Sequence, residues 1–83
     1  MAYKIQYKSS VEKDLKRIAK SDVEKILDEI EKNLSNEASK FPMLKGKFKG
    51  LRKFRVGNYR VIYSIQKIDV VILKIGHRKE VYD

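Results

Sequence analysis

Two runs of alternating character, Leu51–Val56 and Tyr59–Ile65, are separated by the dipeptide Gly57-Asn58. A two-residue loop with glycine first is a strong hairpin signal and suits a type II′ turn. Such a turn also fixes register. Val56 faces Tyr59, Arg55 faces Arg60, Phe54 faces Val61 and Lys53 faces Ile62. Opposed residues point to the same side of a sheet. One face therefore carries Phe54, Val56, Tyr59, Val61 and Tyr63, an aromatic and apolar surface suited to burial under helices. The other carries Leu51, Lys53, Arg55, Arg60, Ile62 and Ser64, so three cations converge on the face left uncovered. Arg55 opposite Arg60 is a like-charge pair, unfavourable across a sheet. A sequence tolerates it where an anion normally sits between the two guanidinium groups.

The rest of the chain supplies the cover. Tyr3 to Lys8 alternates with Tyr3, Ile5 and Tyr7 on one side and reads as a strand. Ser9-Ser10-Val11-Glu12 fits a capping box with Ser9 as N-cap, followed by Val11, Leu15, Ile18 and Ala19 at helical spacing. Ser21-Asp22-Val23-Glu24 repeats that signal ahead of a second stripe, Val23, Ile26, Leu27, Ile30 and Leu34, with Lys32 closing the helix. So short a connection predicts an antiparallel helical hairpin. Residues 35–50, punctuated by Asn36, Pro42, Gly46 and Gly50, read as a loop that Phe41, Met43, Leu44 and Phe48 tack to the core. Beyond the β-hairpin the chain turns at Gln66–Asp69, and Val70–Ile75 forms a last strand. That strand is expected to send Val71, Leu73 and Ile75 to the core. Val70, Ile72 and Lys74, with Arg78 just past its end, are expected on the open face. The order β-α-α-β-β-β predicts one α+β domain over residues 1–83, an antiparallel sheet with the helical hairpin packed on one face.

Charge divides the 83 residues unevenly. Residues 1–37 hold eight basic and eight acidic side chains; residues 38–83 hold twelve and three, which is the whole net charge of +9. A one-sided basic field attracts polyanions, and arginine offers a planar fork of donors for phosphate oxygens. Lys45, Lys47, Lys49, Arg52 and Lys74 are therefore further candidates for contacting a nucleic-acid backbone, and Tyr59 and Tyr82 for stacking on bases. His77, the lone histidine, follows the last strand beside Arg78 and is a candidate for proton transfer. Other chemistries find no support. There is no cysteine, and one histidine makes no structural zinc site. No carboxylate pair, serine triad or glycine-rich phosphate loop has the required spacing. No apolar run reaches the roughly 18–20 residues of a membrane span, and the opening residues lack the apolar stretch of a secretory signal, so a cytoplasmic protein is expected.

Three segments carry a family resemblance: Leu44-Lys45-Gly46, then Gly50 to Tyr63 with its Tyr59-Arg60-Val61-Ile62-Tyr63 run, then Gly76-His77-Arg78-Lys79-Glu80-Val81-Tyr82. Together with the element order they resemble the RelE/ParE superfamily of toxin–antitoxin toxins over essentially the whole chain, and the RelE branch in particular. The resemblance implies a ribosome-dependent mRNA endonuclease that cuts the A-site codon without metal or cofactor, the 2′-OH attacking the adjacent phosphate. It places the family's basic cluster on Lys53, Arg55, Arg60 and Arg78 and its C-terminal tyrosine on Tyr82. Lys53 or His77 is left as general base, because the family often has lysine where this chain has Arg55, and arginine rarely gives up its proton. The implied partners are a RelB-like antitoxin, in a hetero-oligomer, and the ribosome with its mRNA. The alternatives are a ParE-like toxin that binds DNA gyrase and a non-catalytic RNA-binding module.

Overall fold

A computed structural model describes residues 2–46 and 50–77. The elements are β1 (Lys4–Tyr7), α1 (Ser10–Lys16), α2 (Lys20–Glu37), a 3-10 turn (Ala38–Lys40), β2 (Arg52–Val56), β3 (Tyr59–Gln66) and β4 (Asp69–His77). They form the predicted α+β fold, with one difference in the sheet. β2, β3 and β4 are an antiparallel meander, but β1 lies beside β4 and runs parallel to it, giving the order β1-β4-β3-β2 and a mixed sheet. The helices carry the chain from one edge of the sheet to the other. The meander then returns it, so that its last strand meets the first.

One side of the sheet is closed by the helices. Val11 of α1 and Ile26, Ile30 and Leu34 of α2 pack with Phe54, Val56, Val61, Tyr63, Val70, Ile72 and Ile75. The turn chemistry behaves as expected. Gly57 has φ +58, Asn58 stays at negative φ, and the cross-strand pairs are those the sequence dictates. In β4 the expected alternation fails. Ile62 pairs with Lys74 but Tyr63 pairs with Ile72, so Leu73 is an extra residue in a β-bulge. One inserted residue reverses the facing of everything upstream of it. Val70 and Ile72 are consequently buried in the core, whereas Val71 and Leu73, expected there, are only partly buried. Ile75, downstream of the bulge, faces the core as expected.

The caps also differ. Ser9 sits at the N-cap of α1 in helical conformation and makes no side-chain cap bond. The second helix begins at Lys20, because the N–H groups of Asp22 and Val23 both donate to Ala19 O at 2.9 and 3.0 Å. It continues past Lys32 to Glu37. In the loop, Phe41 and Leu44 are inward as predicted, Met43 is 49% exposed, and Phe48 lies outside the described residues.

Candidate nucleic-acid interface

The site begins with the backbone of β2. Lys53 N–H donates to Pro42 O at 3.1 Å, away from β3. In an antiparallel ladder this makes Lys53–Ile62, and two residues on Arg55–Arg60, non-hydrogen-bonded pairs, the kind in which opposed side chains stand closest. Arg55 and Arg60 are thus held side by side on the face away from the helices, with Lys53 next along the same strand. Arg55 is exposed, and Lys53 and Arg60 are half-buried. Opposite Arg60 on β4 stands Gly76, which carries no side chain.

This second face is not open along its whole length. Ile62 is 5% and Ser64 8% exposed, and Ser64 Oγ finds no hydrogen-bond partner among the described residues. Only the end nearest the Gly57-Asn58 turn presents its cations. There Lys53, Arg55 and Arg60 line one cleft of about 310 Å³ together with Phe41, Pro42 and Phe54. Other charged side chains form the ion pairs Lys32–Asp28, Lys40–Glu37 and Lys74–Asp14. This concentration of positive charge beside apolar surface is what a nucleotide chain presents in complement.

Other predicted residues are placed differently. His77 pairs with Tyr59, and both lie on the helix side of the sheet, opposite to Lys53, Arg55 and Arg60. Their rings meet edge to face at 6.1 Å, and Tyr59 OH donates to Asp22 Oδ2 at 3.1 Å. Arg52 also turns to the helix side, where Nη1 donates to Phe41 O at 2.6 Å. Lys74 is on the far face but leans to Asp14 Oδ1 at 3.8 Å. Lys45 is exposed in the loop. Lys47, Lys49, Arg78 and Tyr82 lie outside the described residues. Sequence reasoning missed Phe41 and Pro42 as cleft residues; the pairing of an aromatic with a rigid proline just ahead of a cationic strand was the available signal. It also missed Asp14, whose Oδ2 accepts the Ile75 N–H at 3.1 Å where β1 no longer covers β4. Among the described residues no three metal-ligating side chains gather, and no helix is long and apolar enough to cross a membrane.

The model of a family described as ParE toxin of type II toxin–antitoxin systems matches residues 5–82. The chain belongs to the RelE/ParE superfamily of type II toxins. Solved structures agree. The toxin is similar to a chain of the archaeal RelE–RelB complex from Pyrococcus horikoshii, at 30% identity and TM-score 0.72, over 98% of this chain and 100% of that one. It shares its fold with a chain of a RelBE toxin–antitoxin complex from Mycobacterium tuberculosis, at 24% identity and TM-score 0.88, covering 96% and 95%. It also shares it with one from the chromosomal ParDE system of Pseudomonas aeruginosa, at 16% identity and TM-score 0.76, covering 92% and 96%. A comparison with curated protein sequences finds no match.

Proposed function

We propose that the toxin cuts mRNA on the ribosome, holding the scissile phosphate on Lys53, Arg55 and Arg60. The observation that carries this reading is the Arg55–Arg60 pair, two like charges set opposite each other with Lys53 beside them. The reaction needs a base for the 2′-OH, countercharge for the phosphorane and a proton for the departing 5′-oxygen. Arg55 and Arg60 supply the countercharge. Lys53, on the same face, is the candidate base for the 2′-OH proton; His77, across the sheet, is the poorer candidate for that step. The products are a 2′,3′-cyclic phosphate and a 5′-hydroxyl. By the family resemblance, Arg78 serves the leaving oxygen and Tyr82 stacks on the codon.

A RelB-like antitoxin is the proposed partner, in line with the antitoxin complexes of the related toxins. The basic half of the chain favours an acidic, partly disordered segment that folds on binding. The match to the ParE family supports a second reading, inhibition of gyrase by binding. Primer extension on translating ribosomes and a gyrase supercoiling assay separate the two. Cleavage within the A-site codon, lost in Arg60→Ala, is the expected result. Gyrase inhibition without cleavage would replace the nuclease reading.

A further inference from the structure

We infer that Phe41 and Pro42 form a nucleobase subsite beside the cationic face. The inference rests on the nucleic-acid reading above and specifies what a single nucleotide touches. The cleft of about 310 Å³ is lined by Phe41 and Pro42 of the loop together with Lys53, Arg55 and Arg60, and by Phe54, which belongs to the buried core. A bare anion needs only the cations, and an apolar side chain needs only the carbon surface. A nucleotide uses both, phosphate on the cations and base against carbon. The volume lies at the small end of ligand sites, which run from about 300 to 1,000 Å³, and so suits one nucleotide.

The carbon surface is held in place before any ligand arrives. Phe41 is extended, at φ −84 and ψ 154, as a residue preceding proline prefers. Its carbonyl accepts from Arg52 Nη1 at 2.6 Å, and its ring meets Phe54 edge to face at 4.9 Å. Pro42 O accepts the Lys53 N–H, and Met43 bridges to Arg52. That surface is thus tied to the strand that carries Lys53 and Arg55, so base and phosphate are received in fixed relation. Such preorganisation lowers the ordering cost of binding.

The test is titration of the whole toxin, by NMR or calorimetry, with inorganic phosphate, ribose 5-phosphate and adenosine 5′-monophosphate. Stacking on one aromatic predicts roughly tenfold tighter binding of the adenosine nucleotide than of ribose 5-phosphate. Phe41→Leu keeps the apolar packing but loses the aromatic face. It should abolish that preference and leave ribose 5-phosphate affinity unchanged. Pro42→Ala retains the carbonyl that Lys53 uses and should reduce the preference without touching the fold. Equal affinity for the two ligands, or a preference that survives both variants, overturns the subsite. Ribosome assays are read separately. A toxin that shows the preference but cuts no mRNA overturns the nuclease reading and leaves the subsite standing.

Discussion

Arg55 and Arg60 are set opposite each other in a position where their charges repel. Like charges directly opposed in a sheet oppose folding by a few tenths of a kcal/mol to about 1 kcal/mol. Arg60→Ala should therefore melt within a few degrees of the parent, while mRNA cleavage falls at least tenfold, about 1.4 kcal/mol in barrier terms. Circular dichroism melting beside primer extension measures both, and full cleavage by a folded variant would remove Arg60 from the site. Tyr63 is the contrasting residue, placed for stability. Its ring is fully buried and its OH donates to Ala38 O at 2.6 Å. Burial pushes its pKa from the ordinary 10.0 up to about 12. Between those values the folded state keeps a proton that the unfolded chain has lost. The stabilisation is thus whole below pH 10 and declines as pH rises toward 12, by roughly 2–3 kcal/mol in all. Tyr63→Phe should lose about 1–3 kcal/mol at neutral pH, since Ala38 O is left without its donor, and should flatten the alkaline decline. Denaturant melts at pH 8 and pH 11 distinguish the two forms. The cationic cluster was legible in the sequence because a turn of known geometry places Arg55 against Arg60. The bond from Tyr63 to Ala38 was not, because it spans separate elements whose approach only packing decides.

At the scale of elements, local turn chemistry was readable and long-range pairing was not. Gly57-Asn58 announced its turn and fixed the register of β2 on β3. Nothing in Val70–Leu73 marks Leu73 as the extra residue, because every candidate is apolar and the bulge is chosen by how β3 and the helices pack. The parallel pairing of β1 with β4 joins the two ends of the fold, and alternation in Tyr3–Tyr7 says nothing about its neighbour. The second hairpin shows what a turn without glycine costs. Lys67 holds φ +60 between Gln66 and Asp69, which pair across the turn. A non-glycine residue at positive φ is strained by about 1–3 kcal/mol, offset in part by the entropy glycine loses on folding. Lys67→Gly should stabilise the toxin by about 0.5–1 kcal/mol, seen as a raised urea midpoint with unchanged slope; no gain would mean the turn is not strained at Lys67. The link from α1 to β4 is tested by Asp14. Where β1 has ended, Asp14 Oδ2 accepts the Ile75 N–H at 3.1 Å and stands in for a neighbouring strand. Asp14→Ala should cost about 1–3 kcal/mol, whereas Asp14→Asn keeps an acceptor oxygen and should recover most of it. Equal losses in the two would show that the Lys74 ion pair, not the strand-edge bond, matters.

Across the whole molecule, charge and architecture divide together. The first 37 residues, neutral in sum, build β1 and the helices, while the +9 resides in the part that builds the meander. If the toxin acts on RNA as proposed, geometry sets how many of that part's twelve cations touch the strand at once, and salt dependence counts them. Each phosphate neutralised on a single strand contributes a slope of about −0.7 in log affinity against log salt. Contact by Lys53, Arg55 and Arg60 alone predicts a slope near −2, or roughly a 20-fold loss of affinity between 50 and 200 mM salt. Contact by all twelve would give a slope near −8, and a diffuse field without fixed contacts would weaken gradually with no single residue responsible. Binding of a short single-stranded RNA should therefore follow the shallow line, and Arg60→Ala should reduce its slope by about 0.7 as well as its affinity. Lys4→Ala, on β1 at the opposite edge of the sheet, should leave the slope unchanged. A slope that Arg60→Ala does not alter would mean the cations on this face bind no phosphate, whatever the affinity.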